Sequence, residues 1–482
     1  MTSALQDTDT RLGRGVAPGL AAHPGKTGIY PLSRGRDAFA ARGLLADAAE
    51  RSLDVQYYIW HGDHTGYLLF AALWQAAERG VRVRLLLDDN NTTGLDATIA
   101  ALDAHPNIEV RLYNPLVHRT ARWRNYVTDF RRLNRRMHNK SLTVDNQVTV
   151  VGGRNIGDEY FAAGHGVGFE DLDVIAVGPA AHEVSKAFDL YWSSPSSYPA
   201  EKLLGQAAPG TVEQLKAAFA ATRIDPESAQ YLESLRETRL VTALSEGRLA
   251  LEWTDARLVY DDPAKTLDTE NRTDELLMTR LLETVGHPAT QFELISPYFV
   301  PMADGASALE ALAGRGVNVR VLTNALESTD VSAVHAGYAK RRKDLLRAGI
   351  RLYELKRGDV PKPTGDKKIG GSSSASLHAK TFQIDGNRMF VGSFNFDPRS
   401  AKLNTEMGLV IDSPAMAQQF KAFFDTELPL RAYEVRLTDN GGLQWIERTP
   451  EGEKIHDTEP GTSAWRRAGV GFLSILPIEW LL

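Results

Sequence analysis

His138-Asn-Lys-Ser-Leu-Thr-Val-Asp145 and His378-Ala-Lys-Thr-Phe-Gln-Ile-Asp385 are two copies of one pattern, H-x-K-x4-D, 240 positions apart. Each copy leads into a turn of small residues that ends in asparagine, Gly152-Gly-Arg-Asn155 and Gly392-Ser-Phe-Asn395. A single His-x-Lys would carry little information. Two copies with the same downstream spacing indicate an internal duplication and predict a catalytic site assembled from two halves.

The duplication extends beyond the motif. In each half, an apolar strand, a helix ending at glycine and two further strands precede the motif, and one more strand follows it. The predicted strands are 53–60, 81–87, 108–113 and 172–177 in the first half, and 292–299, 317–322, 350–353 and 406–411 in the second. Strands alternating with helices predict two similar α/β layered domains, which we expect to pack face to face.

The chain divides into five predicted parts. The 482 residues predict an N-terminal surface arm (1–42), a first domain (43–200), a helical connector (201–250), a second domain (251–430) and a C-terminal segment (431–482).

A hydrophobic fraction of 43% and a charged fraction of 24% are typical of a soluble globular protein. The absence of cysteine excludes disulfides and thiolate metal sites, and the acidic N-terminus makes a secretory signal peptide unexpected.

The distribution of charge is more informative than its total. A net charge of −6 argues mildly against a general nucleic-acid binder. Residues 119–140 nevertheless contain seven arginines and one lysine against a single acid, Asp129. Further basic stretches lie at 340–343 and 356–368, upstream of the second motif. These stretches are either solvated surface or a means of concentrating an anionic substrate, and their shared placement favours the second interpretation.

The C-terminal residues 465–482 combine Trp465, two arginines and an apolar run interrupted by Pro477. The run is too short to span a membrane, since a spanning helix needs about 20 apolar residues. A docked terminal segment is the plainer interpretation. Interfacial membrane contact through the aromatic and aliphatic side chains is the alternative.

The motif residues suit the chemistry of a phosphodiester. Side chains at i and i+2 of a strand point the same way, so His138 projects with Lys140, and His378 with Lys380. The lysines can neutralise phosphate oxygens whose charge grows in the transition state. One histidine can attack phosphorus to form a phosphohistidine, while the other protonates the leaving alcohol and then deprotonates the incoming one. We therefore expect no metal or other cofactor.

The remaining candidates support these four groups. Asn155 and Asn395 can donate hydrogen bonds to the phosphate. Asp145 and Asp385 are candidate catalytic residues as members of the motif, but Asp-Asn and Asp-Gly between two strands favour a hairpin turn. Asp171 and Glu406 are candidates for orienting the imidazoles. Each of these two lies eight residues before a similar proline.

Two further groups of polar residues are weaker candidates for sites. His61 and His64 are a possible metal pair, although loop polarity is the more ordinary explanation. Residues 88–91, Asp-Asp-Asn-Asn, end a predicted strand, where α/β sites often lie, but a turn is favoured. Tyr57, Tyr58 and Trp60 fit the core better than a site lining.

The doubled motif with its G-[GS]-x-N turns resembles the phospholipase D superfamily, and the resemblance covers about 57–411. Residues 57–60, 79–91, 133–140 and 151–157, with the C-terminal Leu-Pro-Ile-Glu-Trp, look like bacterial cardiolipin synthases of the C type. This resemblance implies two α-β-α sandwich domains of the phospholipase D type, each with a mixed sheet. It also implies that His138 is the nucleophile and His378 the acid.

The resemblance further implies transfer of a phosphatidyl group onto phosphatidylglycerol, with phosphatidylethanolamine as donor. It places Ser393, where the first half has Gly153, among the substrate-binding residues, so that the halves bind phosphate unequally. We expect a peripheral protein on the cytoplasmic side of the bacterial inner membrane, with a possible accessory protein. Hydrolysis by a phospholipase D, a nuclease activity and a non-catalytic lipid-binding scaffold are the competing functions.

Overall fold

The structure, a computed structural model, describes residues 9–163, 169–246, 248–267, 276–329, 331–357 and 376–475. Its strands in the first half are β1 Thr27–Leu32, β2 Ser52–Ile59, β3 Arg82–Asn91, β4 Ile108–Tyr113, β5 Ser141–Val144, β6 Val148–Gly152, β7 Phe169–Glu170, β8 Asp173–Val177, β9 Ser197–Pro199 and β10 Glu252–Thr254. In the second half they are β11 Ala256–Tyr260, β12 Gln291–Ile295, β13 Asn318–Asn324, β14 Arg351–Leu355, β15 Ser376–Leu377, β16 Thr381–Ile384, β17 Arg388–Gly392, β18 Met407–Ile411, β19 Ala432–Leu437, β20 Leu443–Thr449 and β21 Gly452–His456.

Helices cover both sheets and join the halves. Those before the connector are α1 Arg11–Ala22, α2 Gly35–Ala48, α3 His64–Glu78, α4 Asp96–Asp103, α5 Trp123–Thr128, α6 Phe130–Leu133, α7 Asp158–Phe161 and α8 Pro179–Trp192. The connector contains α9 Ala200–Leu204, α10 Thr211–Ile224, α11 Pro226–Arg236 and α12 Arg239–Ser245. The second half has α13 Leu277–Val285, α14 Met302–Gly314, α15 Ser332–Arg347, α16 Pro398–Lys402, α17 Pro414–Ala422, α18 Leu428–Arg431 and α19 Ala464–Ile475, with a 3-10 turn at Pro263–Thr266 and a π-helical turn at Phe423–Glu427.

The two large sheets repeat one topology. The first has the order β10-β1-β8-β6-β5-β2-β3-β4-β9, and the second has β11-β18-β17-β16-β12-β13-β14-β19-β20-β21. In each sheet the strands before the motif are parallel, β2-β3-β4 and β12-β13-β14, and the motif hairpin is antiparallel to them. The predicted pair of α/β domains with mixed sheets is confirmed.

Apolar side chains form a core in each half and a third core between the halves. Val55, Val83 and Val110 are among the buried residues of the first core, and Leu294 and Val321 among those of the second. The shared core brings first-half residues of β6 and β8 against second-half residues of β17 and β18, and its members include Val151, Val174, Val391 and Leu409. The two halves therefore meet along these strands.

The domain limits differ from those predicted at both ends. Residues 27–32 were expected in a surface arm, but β1 lies inside the first sheet between β8 and β10, because Ile29 and Leu32 supply buried apolar side chains. Residues 432–456 extend the second sheet by three strands instead of forming a separate terminal segment. The connector contains the four helices α9 to α12.

The C-terminal helix α19 docks on the second half. Val470 is buried in a small cluster with Leu326 and Ala336, whereas Trp465 is exposed. This packing supports the docked interpretation for the described part, and residues 476–482 of the predicted interfacial run lie outside the described residues. Among the described residues, no helix combines the length and the apolar character needed to cross a bilayer.

Candidate active site

The backbone of each H-x-K motif is hydrogen-bonded to the opposite half. His138 N donates to Thr405 O at 2.9 Å, and Thr405 N donates to Arg136 O at 2.9 Å. In the second half, β15 pairs in parallel with β7, and the amides of His378 and Ala379 both donate to Glu170 O at 2.9 Å. The motifs were expected on strands of their own sheets. They instead lie just before β5 and β16, where each contacts the segment that carries the other half's candidate carboxylate.

This crossing pairs each histidine with a carboxylate of the other half. The Nδ1 of His138 donates to Glu406 Oε2 at 2.8 Å, and the Nδ1 of His378 donates to Asp171 Oδ2 at 2.6 Å. A carboxylate that accepts from Nδ1–H fixes both the tautomer and the ring orientation, leaving Nε2 available for chemistry. The structure thus brings together the four residues that the sequence singled out, in a crossed arrangement that spacing did not predict.

The two lysines are buried beside these pairs. Lys140 and Lys380 are 1% and 2% exposed, and each donates through Nζ to the backbone carbonyl of the histidine two residues earlier. The Nζ of Lys380 also lies 3.1 Å from Nδ1 of His378. Two lysines and two carboxylates therefore surround the imidazoles. Burial lowers the pKa of Lys140 well below its ordinary value, and the charge of Glu406 opposes this shift.

Burial and the lysines hold both imidazoles in the neutral form. Burial, reinforced by the charges of Lys140 and Lys380, lowers the pKa of His138 well below its ordinary value. The same two causes, with Lys380 the larger charge effect, lower the pKa of His378 to about 4. Lys380 thus acts on His138 as well as on its own neighbour, so the two half-sites are electrostatically one site.

The two orienting carboxylates differ in acidity. Burial alone would raise the pKa of Asp171, but the hydrogen bond and charge of His378, with the charge of Lys380, outweigh it and bring the pKa to about 2. At Glu406 burial dominates and raises the pKa, despite the charge of Lys140 and the hydrogen bonds from two serines. Asp171 is therefore the more firmly ionised of the two.

The side chain of Ser393 is hydrogen-bonded to Glu406. Its hydroxyl is fully buried, donates to Glu406 Oε2 at 2.5 Å and accepts from Met407 N at 3.0 Å. Ser400, which the sequence analysis did not single out, donates to Glu406 Oε1 at 2.7 Å. The side chain of Ser393 thus contacts the carboxylate that accepts from His138, and its expected part in substrate binding stays a prediction.

The two motif asparagines have unequal surroundings. Asn155 accepts from Ile59 N at 3.1 Å and donates to Tyr160 OH at 3.1 Å, so much of its hydrogen-bonding capacity is used inside the protein. Asn395 is also buried, but its Oδ1 has no hydrogen-bond partner within the described residues. The unpaired atom of Asn395 is an acceptor, so it can receive a ligand hydroxyl but cannot donate to a phosphate oxygen.

Asp145 and Asp385 lie at hairpin turns. Asp145 has a φ of 51° and Asp385 a φ of 52°, in the left-handed region that Asp and Asn tolerate in such turns. The carboxylate of Asp145 accepts from the backbone amides of residues 50–52, and that of Asp385 from residues 289–291. The partners in these contacts are backbone amides and not histidines, so the turn interpretation is favoured over a catalytic role.

Two tyrosines contact the histidines edge-on. The ring of Tyr58 lies 4.8 Å from that of His138, with the Nζ of Lys140 5.5 Å from the Tyr58 ring centroid. Tyr160 packs 5.1 Å from His378. Tyr57 and Trp60 are buried in the core, as predicted, but Tyr58 is a site residue. Tyr160 was missed because it follows the motif turn in a short helix without a recognisable pattern.

The acidic run at the end of β3 is a buried anchor and not a turn. Asp88 accepts from Arg136 Nε at 2.9 Å and from Met137 N at 2.9 Å, immediately before His138. Asp89 accepts from Arg119 Nη1 at 2.5 Å and from Leu116 N at 2.7 Å. The basic stretch thus folds back onto these two carboxylates, a pairing between distant segments that local sequence did not show.

The two loop histidines have separate partners. His61 Nδ1 lies 3.1 Å from Glu159 Oε1, and this hydrogen bond raises the pKa of His61. His64 Nδ1 lies 3.1 Å from Asp158 Oδ2. The two imidazoles therefore belong to different acidic surroundings and do not form one shared pair.

Comparisons with known proteins give a matching family model and similar relatives. The model of the family described as cardiolipin synthase, phospholipase D-like domain, matches residues 44–192 and 281–428. Cardiolipin synthase C of Escherichia coli K12 is 49% identical over 473 residues, covering 98% of this chain and 100% of that protein. The major cardiolipin synthase ClsA of Bacillus subtilis 168 is 24% identical and covers 82% of this chain and 68% of its own.

The fold also has a solved counterpart. The crystal structure of phosphatidylserine synthase from Haemophilus influenzae Rd KW20 superposes with a TM-score of 0.58 at 12% identity. The match covers 97% of this chain and 99% of that one. At this identity the likeness concerns the fold, and it extends to both halves.

Proposed function

Because the chain belongs to the family of cardiolipin synthases with phospholipase D-like domains, we propose that it makes cardiolipin by moving a phosphatidyl group through a phosphohistidine. The acceptor we propose is phosphatidylglycerol and the donor phosphatidylethanolamine. The observation that carries the proposal is the crossed pair of histidine–carboxylate contacts beside two buried lysines. Such a site offers a nucleophile, an acid and charge for one phosphodiester.

We assign the nucleophile to His138. Its lowered pKa keeps the imidazole neutral, and the contact to Glu406 directs Nε2 away from the carboxylate. In the first step Nε2 attacks phosphorus, the bond from phosphorus to the ethanolamine oxygen breaks, and the leaving oxygen takes a proton from His378. Lys140 and Lys380 balance the charge that builds on the non-bridging oxygens.

We assign the acid to His378, which pairs with the more firmly ionised carboxylate and is the more exposed of the two histidines, 17% against 9% for the side chain. A bound phosphodiester brings negative charge beside Lys380 and so raises the pKa of His378 from its low value in the free site. In the second step a glycerol hydroxyl of phosphatidylglycerol gives its proton to His378 and attacks phosphorus. The bond from phosphorus to His138 breaks, and cardiolipin leaves.

An activated substrate separates the two roles. A p-nitrophenyl phosphodiester has a leaving group that needs no proton, so the His378→Ala protein should release one equivalent of nitrophenol per site and then stall as a phosphohistidine. The His138→Ala protein should show no burst. A burst in the His138→Ala protein together with none in the His378→Ala protein would reverse the assignment.

The lipid products test the activity itself. Purified protein with phosphatidylglycerol and phosphatidylethanolamine should give cardiolipin and free ethanolamine, detected by mass spectrometry, and the His378→Ala protein should give neither. Formation of phosphatidic acid alone would replace the synthase proposal by phospholipase D hydrolysis. Cleavage of DNA that is lost in the His138→Asn protein would revive a nuclease.

We further propose that the protein works on the cytoplasmic face of the bacterial inner membrane. The phospholipid substrates of the proposed reaction support a site at a membrane surface. Stimulation of the purified protein by a cell extract, lost when the extract is treated with protease, would identify an accessory protein.

A further inference from the structure

The segment 115–135, here called the tip loop, exposes a group of large apolar side chains beside the first motif. Val117, Trp123 and Val127 are 76%, 66% and 75% exposed, and Tyr126 and Phe130 are 38% and 44% exposed. Leaving one such side chain in water is ordinary, but five within fourteen residues mark an interaction surface.

The base of the tip loop is held firmly. The buried carboxylates of Asp89 and Asp88 bind the start and the end of the segment, through Arg119 and Arg136 respectively. Inside the loop, Asn114 Nδ2 donates to the carbonyls of residues 132 and 135 at 3.0 and 2.6 Å. A fixed base with apolar side chains at the top is a geometry that can insert without refolding.

The arginines of this stretch are mostly used within the protein. Ion pairs join Arg119 and Arg122 to Asp96, Arg132 to Asp129, and Arg136 to Asp88. The chemistry that the loop offers to solvent is therefore mainly apolar and aromatic, with the exposed Arg124 and Arg131 at its border. This differs from the concentration of an anionic substrate that the basic stretch alone suggested.

The loop also lies next to the reacting groups. Tyr126 OH donates to Asn90 at the end of β3, and the pKa of Tyr126 is raised by burial and by the neighbouring Tyr58 and Asp88. Arg399, close to the turn of the second motif, donates to Asn134 Oδ1 at 2.6 Å. A surface bound by the tip loop would thus be held close to both half-sites.

We propose that the tip loop docks the enzyme on a phospholipid bilayer, with Trp123, Val127 and Phe130 entering the boundary between headgroups and acyl chains. The choice of a lipid surface over a protein partner rests on the proposed function. Aromatic rings with a polar edge are favoured at headgroup depth, and Arg124 and Arg131 can extend to lipid phosphates while their alkyl parts remain in contact with apolar groups. The contact would present a lipid headgroup to the histidines without extracting the lipid into water.

The absence of cysteine from the chain allows a direct test of position. Val127→Cys protein, labelled with an environment-sensitive fluorophore, should show a blue-shifted and brighter emission on vesicles of phosphatidylglycerol and phosphatidylethanolamine. Ile224→Cys protein, labelled in the same way on the connector helix α10 at an equally exposed position, should show no change. No shift at residue 127 in protein that co-sediments with the vesicles would overturn the proposal.

A second pair of variants tests the energetics. The triple variant Trp123→Ser, Val127→Ser, Phe130→Ser should bind vesicles at least about tenfold more weakly and lose cardiolipin formation on vesicles, because three apolar side chains no longer enter the interface. Its turnover of a soluble p-nitrophenyl phosphodiester should stay at the wild-type rate, which also shows that it folds. The matched control Ile224→Ser, Ile455→Ser removes two exposed side chains elsewhere and should bind as wild type does.

The two proposals fail in different ways. His138→Ala protein should bind vesicles normally, because vesicle binding does not need the reaction. If wild-type protein binds vesicles but forms no cardiolipin, the proposed function is rejected and the proposed docking surface stands. Normal vesicle binding by the triple variant rejects the docking surface and leaves the function intact. A change in the label at residue 127 that needs an added soluble protein, and not vesicles, would identify a protein partner instead and overturn the bilayer proposal.

Discussion

Gly153 lies so close to Asp171 that a Cβ built on the glycine would be 2.2 Å from Asp171 Oδ1 and 2.7 Å from Oδ2. The equivalent position of the other half is Ser393, whose partner is Glu406, a carboxylate with one more methylene group. The two halves therefore solve one packing problem in two ways: a glycine with the short acid, and a serine with the long one. The difference explains why the duplicated turns diverged at this position.

We predict that Gly153→Ser protein loses at least about tenfold in kcat, because the new Cβ displaces Asp171 and misaligns His378, and small misplacements of catalytic groups cost up to about 10²-fold. The double variant Gly153→Ser, Asp171→Glu copies the pair found in the other half and should recover much of this loss. Steady-state rates on the p-nitrophenyl phosphodiester and on lipid measure both. Equal loss in the single and double variants would contradict the paired explanation.

The crossed contacts predict that a change to either carboxylate impairs the histidine of the opposite half, which it contacts, and not the histidine of its own half. Glu406→Gln should slow attack by His138 by about 10²–10⁴-fold, since an amide supports the wrong imidazole tautomer. This loss should appear in the burst with the activated substrate. Asp171→Asn should spare that burst and slow turnover with lipid, where His378 must protonate the leaving group.

A burst that is slowed by Asp171→Asn and unaffected by Glu406→Gln would show that the carboxylates act within their own halves. Vesicle binding provides the control for folding in both variants.

The low pKa of His378 predicts a loss of stability on acidification. The unfolded chain binds a proton near pH 6.5 and the folded site only near pH 4, so the unfolded state holds more protons between these values and the free energy of unfolding falls as the pH falls through them. Between about pH 7 and pH 5 the titration of this histidine should lower the free energy of unfolding by about 2 kcal/mol. Denaturant unfolding of wild-type and His378→Gln protein at the two pH values measures the difference.

Other buried acids also titrate in this range. Burial raises the pKa of Asp261 to about 6 and that of Asp397 to about 7, so both act in the opposite direction on acidification. The prediction therefore concerns the difference between the two proteins. An identical pH dependence in wild-type and variant protein would refute it.

Replacing a turn aspartate should lower the free energy of unfolding with little effect on the catalytic rate. Asp385→Ala removes an acceptor of three backbone amides and places alanine at a φ of 52°, so the free energy of unfolding should fall by about 2–4 kcal/mol. The rate per folded molecule should change less than about threefold. Asp385→Asn tolerates this backbone conformation and keeps one acceptor oxygen, so it should lose less stability than the alanine variant. A hundredfold drop in kcat for both folded variants would return Asp385 to the catalytic set.

Much of the fold could be predicted because the duplicated strands are continuous apolar runs. The repeated spacing of the H-x-K-x4-D motif located His138, Lys140, His378 and Lys380. The pairing of β1 with β8 and β10 could not be predicted, since its partners are distant in sequence and a short strand that contains Gly28 and Pro31 reads as a loop. Local pattern shows which face a strand buries but not which distant strand it meets.

The same limit applied to the site. Asp171 and Glu406 were identified by their spacing, yet nothing in the spacing of either half shows that each carboxylate crosses to the other half's histidine. Ser400 and Tyr160 were missed because serine in a short helix and tyrosine after a turn are ordinary residues until the fold places them. Asp88 and Asp89 read as a turn because their arginine partners lie 48 and 30 residues away.

The exchange of carboxylates has a consequence for the origin of the molecule. A polypeptide that contained one motif and one acid would be unable to orient its own imidazole, and only two such polypeptides, each lending its acid to the other, would form a complete centre. The arrangement of the present chain corresponds to a symmetric dimer of two such polypeptides joined into one chain. Once joined, the two copies no longer had to be identical, a freedom that the proposed division of roles between the two histidines requires.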